Sequence, residues 1–283
     1  MNVLLDCHLF ILGHCELVFS LRCPSLFLLI FFQIGLKPMR LPASQFQFPD
    51  PEQVDPTGEG IIGIGADLSP STLLEAYCHG IFPWFSKDEP ICWWSPEPRC
   101  IIHPHAFQPS KSLIRQLKKE RYTLTLSHAF EQVARACAEP RAYAQETWIT
   151  EDIIAGYSGL HQAGLAHSVE VWDGEHLVGG LYGVQIGRAF FGESMFSRQT
   201  DVSKMAFCFL MKLCAASDFA WVDCQLPNDH LISLGAITLP RRDFLEQLNP
   251  VLIQRPPNWQ AVMAQTFATQ YILTTDAFLD LIH

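Results

Sequence analysis

The chain has 283 residues, 49% apolar and 17% charged, enough to bury a core and too apolar for global disorder. Its formal net charge is −10, from 29 Asp and Glu against 19 Lys and Arg. That excludes a general nucleic-acid coat but not a local basic patch. Ten cysteines stand at 7, 15, 23, 78, 92, 100, 137, 208, 214 and 224 without a CxxC spacing, which argues against a zinc ribbon or a thioredoxin-type site and suits a reducing cytoplasm.

Residues 1–36 are strongly apolar, yet Asp6 is the only formally charged side chain before Glu16, so the basic start of a signal peptide is missing. Arg22 and Pro24 break the run, and residues 23–36 fall short of the roughly 20 that span a bilayer. The composition changes abruptly at residues 37–40. Translation is therefore expected to start at Met39, with 1–38 a non-native or disordered extension; a membrane anchor and a buried helix are the other readings.

Residues 39–109 are rich in Pro, Gly and Trp and read as a small α+β domain. Its helix is capped by Ser69, carries Pro70 in the first turn and stops at Gly80. Residues 110–121 read as an amphipathic helix, 122–126 as a strand and 128–138 as a helix. Thr150 caps another helix, with Glu151 and Asp152 in the first turn where the dipole favours them, ending near Gly164. Strands at 167–172 and 176–184 form a hairpin across Asp173-Gly174-Glu175, and 188–196 is a third strand. A long apolar helix (202–216), a buried strand (220–225), a short helix (228–234), a strand (237–240) and a helix (241–248) complete the pattern. The expected fold class is α+β, with an N-acetyltransferase-like (GNAT-type) domain over 110–257 after the small domain, and a tail at 258–283.

Two apolar runs carry ionisable groups, which is costly unless those groups are paired or used. One is AFFGESMFSR, with Glu193; the other is WVDCQLPND, with Asp223 and Gln225. Strand alternation puts Phe191, Glu193 and Met195 on one face and Phe190 and Phe196 on the other. Glu193 then pairs with a buried cation or faces a cavity. Asp223 and Gln225 share a face, and a carboxylate beside an amide can orient an amine and accept its proton, or cap the next helix. Trp84, Trp93, Trp94 and Trp148 are core or the walls of an apolar site. Lys111, Arg115, Lys118 and Lys119 fall on one helical face, with Arg121 beyond; this is a solvated helix or a phosphate-contacting patch. The glycines at 179, 180 and 183 read as close-packing positions. No HExxH, Walker loop or Gly-rich pyrophosphate turn is present, so no metal or cofactor is expected.

The strings GIFPWFS, WWSPEPR, ETWIT, HSVEVW, LVGGLYGV, FFGESMFSR, VDCQLPNDH, SLGA and PRRDF, in this order, resemble the leucyl/phenylalanyl-tRNA–protein transferase family over about 39–257. The resemblance implies a monomeric cytoplasmic enzyme without cofactor. It would move Leu or Phe (Met less well) from aminoacyl-tRNA to the α-amino group of proteins beginning with Arg or Lys, marking them for N-degron degradation. The family's mechanism would give Gln225 the base role with Asp223 behind it; an amide is a poor base on its own, so the net proton demand is assigned to Asp223. Glu193 would hold the cationic amino end or the Arg/Lys side chain. Trp84, Trp148, Leu181 (often Met in the family), Phe190, Gly192, Met195 and Val222 would line the slot for the donor side chain. Lys111, Arg115, Lys118, Lys119 and Arg121 would grip the tRNA. Another acyltransferase of the same fold (peptidoglycan aminoacyl or coenzyme A-dependent) and a non-catalytic tRNA-binding protein are the competing readings.

Overall fold

Two sheets organise the chain in the computed structural model, which describes residues 41–119, 121–140 and 147–259. Expectations for 1–38 and for the tail beyond 259 lie outside the described residues. After a short helix α1 (Pro51–Val54), strands β1 (Ile61–Ile64), β2 (Phe82–Pro83) and β3 (Cys92–Trp94) make a three-stranded sheet in the order β1-β3-β2. Between β1 and β2 lies α2 (Pro70–Cys78), capped by the Ser69 hydroxyl, with Pro70 in its first turn. Gly80, at φ +72°, turns the chain toward β2.

The larger sheet has seven strands. Strand β4 (Arg99–Ile102) is followed by α3 (Lys111–Leu117), β5 (Thr123–Leu126), α4 (Phe130–Ala138) and α5 (Glu151–Gln162). Next come β6 (Ala166–Asp173), β7 (His176–Ile186), β8 (Ala189–Ser197), α6 (Val202–Ala216) and β9 (Trp221–Gln225). Helix α7 (Asp229–Ser233), β10 (Ile237–Leu239) and α8 (Arg241–Leu252) finish the fold. The order is β10-β4-β9-β8-β7-β6-β5, antiparallel except for the parallel pair β8–β9, which α6 connects. The architecture is mixed helix and sheet, and β4, from the Pro- and Trp-rich segment, sits inside the larger sheet.

The glycines of β7 show how the layers close on it. A Cβ on Gly179 would lie 2.5 Å from Val202 on α6, and one on Gly180 would point the other way, 3.4 Å from Val133 on α4. The sheet is thus packed by α6 on one face and by α4 and α5 on the other; Val202 leaves no room for a side chain at 179, and at 180 the Val169 carbonyl of β6, 2.6 Å from such a Cβ, excludes one.

Two boundaries and one strand register differ from the pattern. Helix α3 ends at Leu117, not near 121, because Leu113 and Leu117 are its buried anchors and the KKER run beyond offers nothing to bury. Helix α8 continues to Leu252, past 248, because Val251 and Leu252 are also buried. The third difference is a bulge in β8. Tyr182 pairs with Ser194 but Gly183 pairs with Gly192, so Glu193 is the extra residue. Phe191, Ser194 and Phe196 consequently share one face, and Phe190, Gly192 and Met195 the other. Strict alternation misplaced Met195 and Phe196 because it contains no bulge.

Candidate active site

The parallel pair β8–β9 runs only from Ala189–Trp221 to Phe191–Asp223 and then parts. The bulge at Glu193 sits on one side of the opening, and Gln225 sits on the other at φ +56°. Divergence of parallel strands at their carboxyl ends creates a crevice, the general place for chemistry in such sheets.

Glu193 is held by two tyrosines from different helices. Tyr77, on the buried face of α2, donates its hydroxyl to Oε1 at 2.6 Å. Tyr157, on α5, donates to Oε2 at 2.9 Å. The two phenol oxygens are themselves 2.6 Å apart. Three close oxygen contacts therefore share two phenolic protons. A third proton, on the carboxyl, lets every contact carry a hydrogen, in a ring from Glu193 to Tyr77 to Tyr157 and back. Burial against Tyr77, Tyr157 and Tyr182 pushes the Glu193 carboxyl up from its ordinary 4.5 to about 7; the tyrosine hydrogen bonds pull it down, the Asp223 charge raises it and Arg99 lowers it. The residue is only half-buried, so this desolvated acid keeps contact with solvent.

Asp223 has a different environment. Arg99 Nε donates to Oδ1 at 2.9 Å and a terminal nitrogen donates to Oδ2 at 2.6 Å, and both side chains are 0% exposed. The guanidinium also donates to the Gly80 carbonyl at 2.9 Å and lies over the rings of Phe82 and Phe244, at 5.1 and 4.5 Å. Asp223 Oδ1 accepts a further bond from the Gln225 backbone N–H at 2.9 Å. With both oxygens occupied and no surface open, Asp223 is not placed to take a proton from a substrate. The residue expected to carry the proton demand is thus a fully buried, ion-paired carboxylate.

Gln225 is half-buried, and its Nε2 donates to the Gly192 carbonyl at 2.7 Å across the gap between the strands. That bond orients the amide and leaves Oε1 free of it as an acceptor. Gln225 thus bonds Asp223 through its backbone N–H and Gly192, the neighbour of Glu193, through its side chain, and the Asp223 charge is felt at Glu193.

The structure divides the other expected residues. Leu181, Phe190 and Val222 are buried in one cluster on the α6 side, with half-buried Met195 packed against it. Trp259, only 4% exposed, lies across the Phe190 ring with centroids 5.7 Å apart, and meets Phe219 and His167 as well. Trp84 stands apart from that cluster in sequence and packing: it is 42% exposed and tilted on Trp94 at 5.4 Å. Trp148 is half-buried just before α5. Gly192 supplies its carbonyl to Gln225. On α3, Lys111 and Arg115 are exposed; Lys118 and Lys119 are exposed just past its end, and Arg121 pairs with Asp173 at 2.6 Å. Among the described residues no group of three or more His, Cys, Asp or Glu could hold a metal ion.

The family model described as leucyl/phenylalanyl-tRNA protein transferase matches residues 101–249, and the model of its N-terminal domain matches 66–97. The leucyl/phenylalanyl-tRNA–protein transferase of Psychrobacter arcticus is 53% identical over 220 residues, 76% of this chain and 82% of that protein. The chain belongs to the leucyl/phenylalanyl-tRNA protein transferase family. The transferase of Cellvibrio japonicus is 50% identical over 202 residues, 71% of this chain and 86% of that protein. Among solved structures, L-PGS from Bacillus licheniformis aligns over 55% of this chain and 50% of that one, at 11% identity and a TM-score of 0.33, too slight a likeness to carry an argument.

Reasoning from the transferase sequence missed Arg99, Tyr77 and Tyr157. Arg99 lies inside WWSPEPR, where an arginine among aromatic and proline residues was the one available signal of a buried cation. Tyr77 and Tyr157 each occupy an apolar position of a helix, and nothing local separates a buried phenol with a partner from an ordinary core ring. Glu170 is a further buried carboxylate in HSVEVW. It is satisfied by the hydroxyls of Thr125 and Ser168, both at 2.5 Å, and has a structural role. Among the described residues no helix is long and apolar enough to cross a membrane.

Proposed function

We propose that this transferase moves Leu or Phe, and Met less well, from aminoacyl-tRNA to the α-amino group of proteins that begin with Arg or Lys. It would mark them for N-degron degradation, in the cytoplasm, as a monomer and without metal or small cofactor. Residues 39–109 form the small N-terminal domain on this reading, and 110–257 a GNAT-type domain.

The observation that carries the chemistry is a desolvated but reachable carboxyl titrating near neutrality, next to an amide with a free acceptor oxygen. The donor ester is already activated, so positioning and modest proton handling suffice. An incoming α-ammonium, with a pKa of about 7.7–8.0, meets the Glu193 carboxylate and gives it a proton. The neutral amine, held by Gln225 Oε1, attacks the ester carbonyl. The N–C bond forms, the C–O bond to the tRNA ribose breaks, the Glu193 carboxyl gives its proton to the departing oxygen, and the carboxylate so freed takes the second proton from the new amide nitrogen before releasing it to water. The Arg99–Asp223 pair keeps Gln225 in its left-handed conformation by accepting its N–H. Leu181, Phe190, Gly192, Met195 and Val222, with Trp84 and Trp148, are the proposed walls for the donor side chain. Their shape has to exclude β-branched donors, because a single methylene is worth only about 1–3 kcal/mol.

Labelled leucyl-tRNA incubated with a peptide beginning with Arg tests the proposal. Label should move to that peptide and not to one beginning with Gly or Asp. Transfer from acetyl-coenzyme A instead, or none from the tRNA, sinks it.

A further inference from the structure

A cleft of about 400 Å³ opens at the end of α3, lined by Gln116, Arg121, Tyr122, Gln199, Thr200 and Met205. That volume is within the usual range for a small ligand site, roughly 300–1,000 Å³. One wall is a chain of hydrogen bonds. Tyr122 donates to Gln199 Oε1 at 2.7 Å, Gln199 Nε2 donates to Asp173 at 3.1 Å, and Arg121 donates to the same Asp173 oxygen at 2.6 Å. The Arg121 guanidinium lies over the Tyr122 ring, 5.0 Å from its centroid. Asp173 occupies one of its nitrogens, and among the described residues its remaining donors have no partner. Lys118 and Lys119 are exposed just before Arg121, and Lys204, on the first turn of α6 and paired with Asp201 at 2.8 Å, follows the Gln199–Thr200 wall.

A planar cation on a phenol ring, with two side-chain amides, inside a basic edge of an otherwise acidic chain, suits one ligand class. That class is a nucleotide with its base free to stack and its phosphate free to meet the cations. A duplex presents its backbone to a convex surface such as α3; a concave slot takes an unpaired base. Gln199 follows Glu193 by six residues, two past the end of β8, which sets it at most about 20 Å away at ~3.3 Å per residue. That span leaves room for further chain between the cleft and the reacting ester.

We propose that this cleft holds an unpaired nucleotide of the donor's single-stranded 3′ end, upstream of the esterified one. The inference rests on the reading that the donor is an aminoacyl-tRNA. Asp173 competes for Arg121, so the free protein masks part of the site's charge.

The test is fluorescence anisotropy with a 5′-labelled single-stranded RNA tetramer, ACCA, on the full chain, alongside KM for leucyl-tRNA. Tyr122→Leu should weaken tetramer binding about tenfold. Arg121→Ala should weaken it and lower the slope of log K against log salt by about 0.7. Asp173→Asn, which frees Arg121, should tighten it severalfold, whereas a merely structural Asp173 would give no gain. Each variant should raise or lower KM in step and leave kcat nearly unchanged. Overturning results are unchanged tetramer affinity in variants with wild-type circular dichroism, equal competition by duplex RNA, or equal competition by inorganic pyrophosphate. If the wild type transfers leucine while these variants keep its KM, the cleft assignment alone fails. If the wild type binds the tetramer in the cleft but transfers nothing, the functional reading fails and the cleft stands.

Discussion

Replacing Glu193 by Gln preserves shape and removes the titrating group, so stability and activity should separate. In the folded chain the carboxyl binds its proton more tightly than its ordinary value of 4.5, with a pKa of about 7. Each tenfold change in proton affinity is worth about 1.4 kcal/mol. Ionising Glu193 therefore costs the fold up to about 3 kcal/mol, less whatever its solvent contact screens. The sign follows from linkage: the unfolded chain loses this proton first, so stability is fully present below pH 4.5 and falls as pH rises through about 7. Gln mimics the protonated form. Urea unfolding should find Glu193→Gln equal to wild type at pH 4.5 and more stable at pH 8.5. Transfer should show the reverse, with kcat/KM at pH 8 down by about 10²–10⁴ for loss of a general base. The limb near pH 7 should vanish, leaving only titration of the peptide amine. A stability difference that ignores pH, or a variant that keeps the limb and the rate, would refute the argument.

Tyr77→Phe and Tyr157→Phe each remove a donor that lowers the Glu193 pKa, so the acid limb of kcat/KM should move to higher pH in both; a limb that stays in place argues against the proton ring. Arg99→Met leaves the Asp223 carboxylate buried without its partner and should cost about 3–5 kcal/mol in urea unfolding, with transfer lost; an effect below ~1 kcal/mol would mean the pair is not what holds Gln225. His167 is half-buried with its Nε2 sealed from solvent, and this desolvation drives its pKa down from 6.5 to about 4, so the unfolded chain takes up that proton first. Stability should therefore fall as pH drops from 6.5 to 4, and His167→Gln should flatten that limb in thermal melts. Gly183→Ala brings a methyl group against the Phe191 carbonyl and within 2.5 Å of the Phe190 ring, and should lower Tm by several degrees; an unchanged melt would contradict the tight β7–β8 contact.

What could be read from the chain alone was what depends on near neighbours. Thr150 caps α5 through the Ile153 N–H, and Gly174, at φ +61°, turns the β6–β7 hairpin, because caps and turns are decided within a few residues. The α6 limits matched because its apolar run is long. The bulge at Glu193 was not legible, since it is a mismatch of register with β7 and exists only once the two strands pair. Asp223 was correctly singled out as an unusual carboxylate, but its partner lies 124 residues earlier, and no local pattern points to Arg99. Without that arginine in view, nothing in the local sequence marks this carboxylate as ion-paired.

The Arg99–Asp223 pair also has a consequence for how the chain comes to rest. A guanidinium cannot be buried between Phe82 and Phe244 at tolerable cost until the carboxylate arrives, and β9 is among the last strands to be synthesised. The early segment that carries Tyr77 and Arg99 therefore reaches its final packing only once residues beyond 220 are in place.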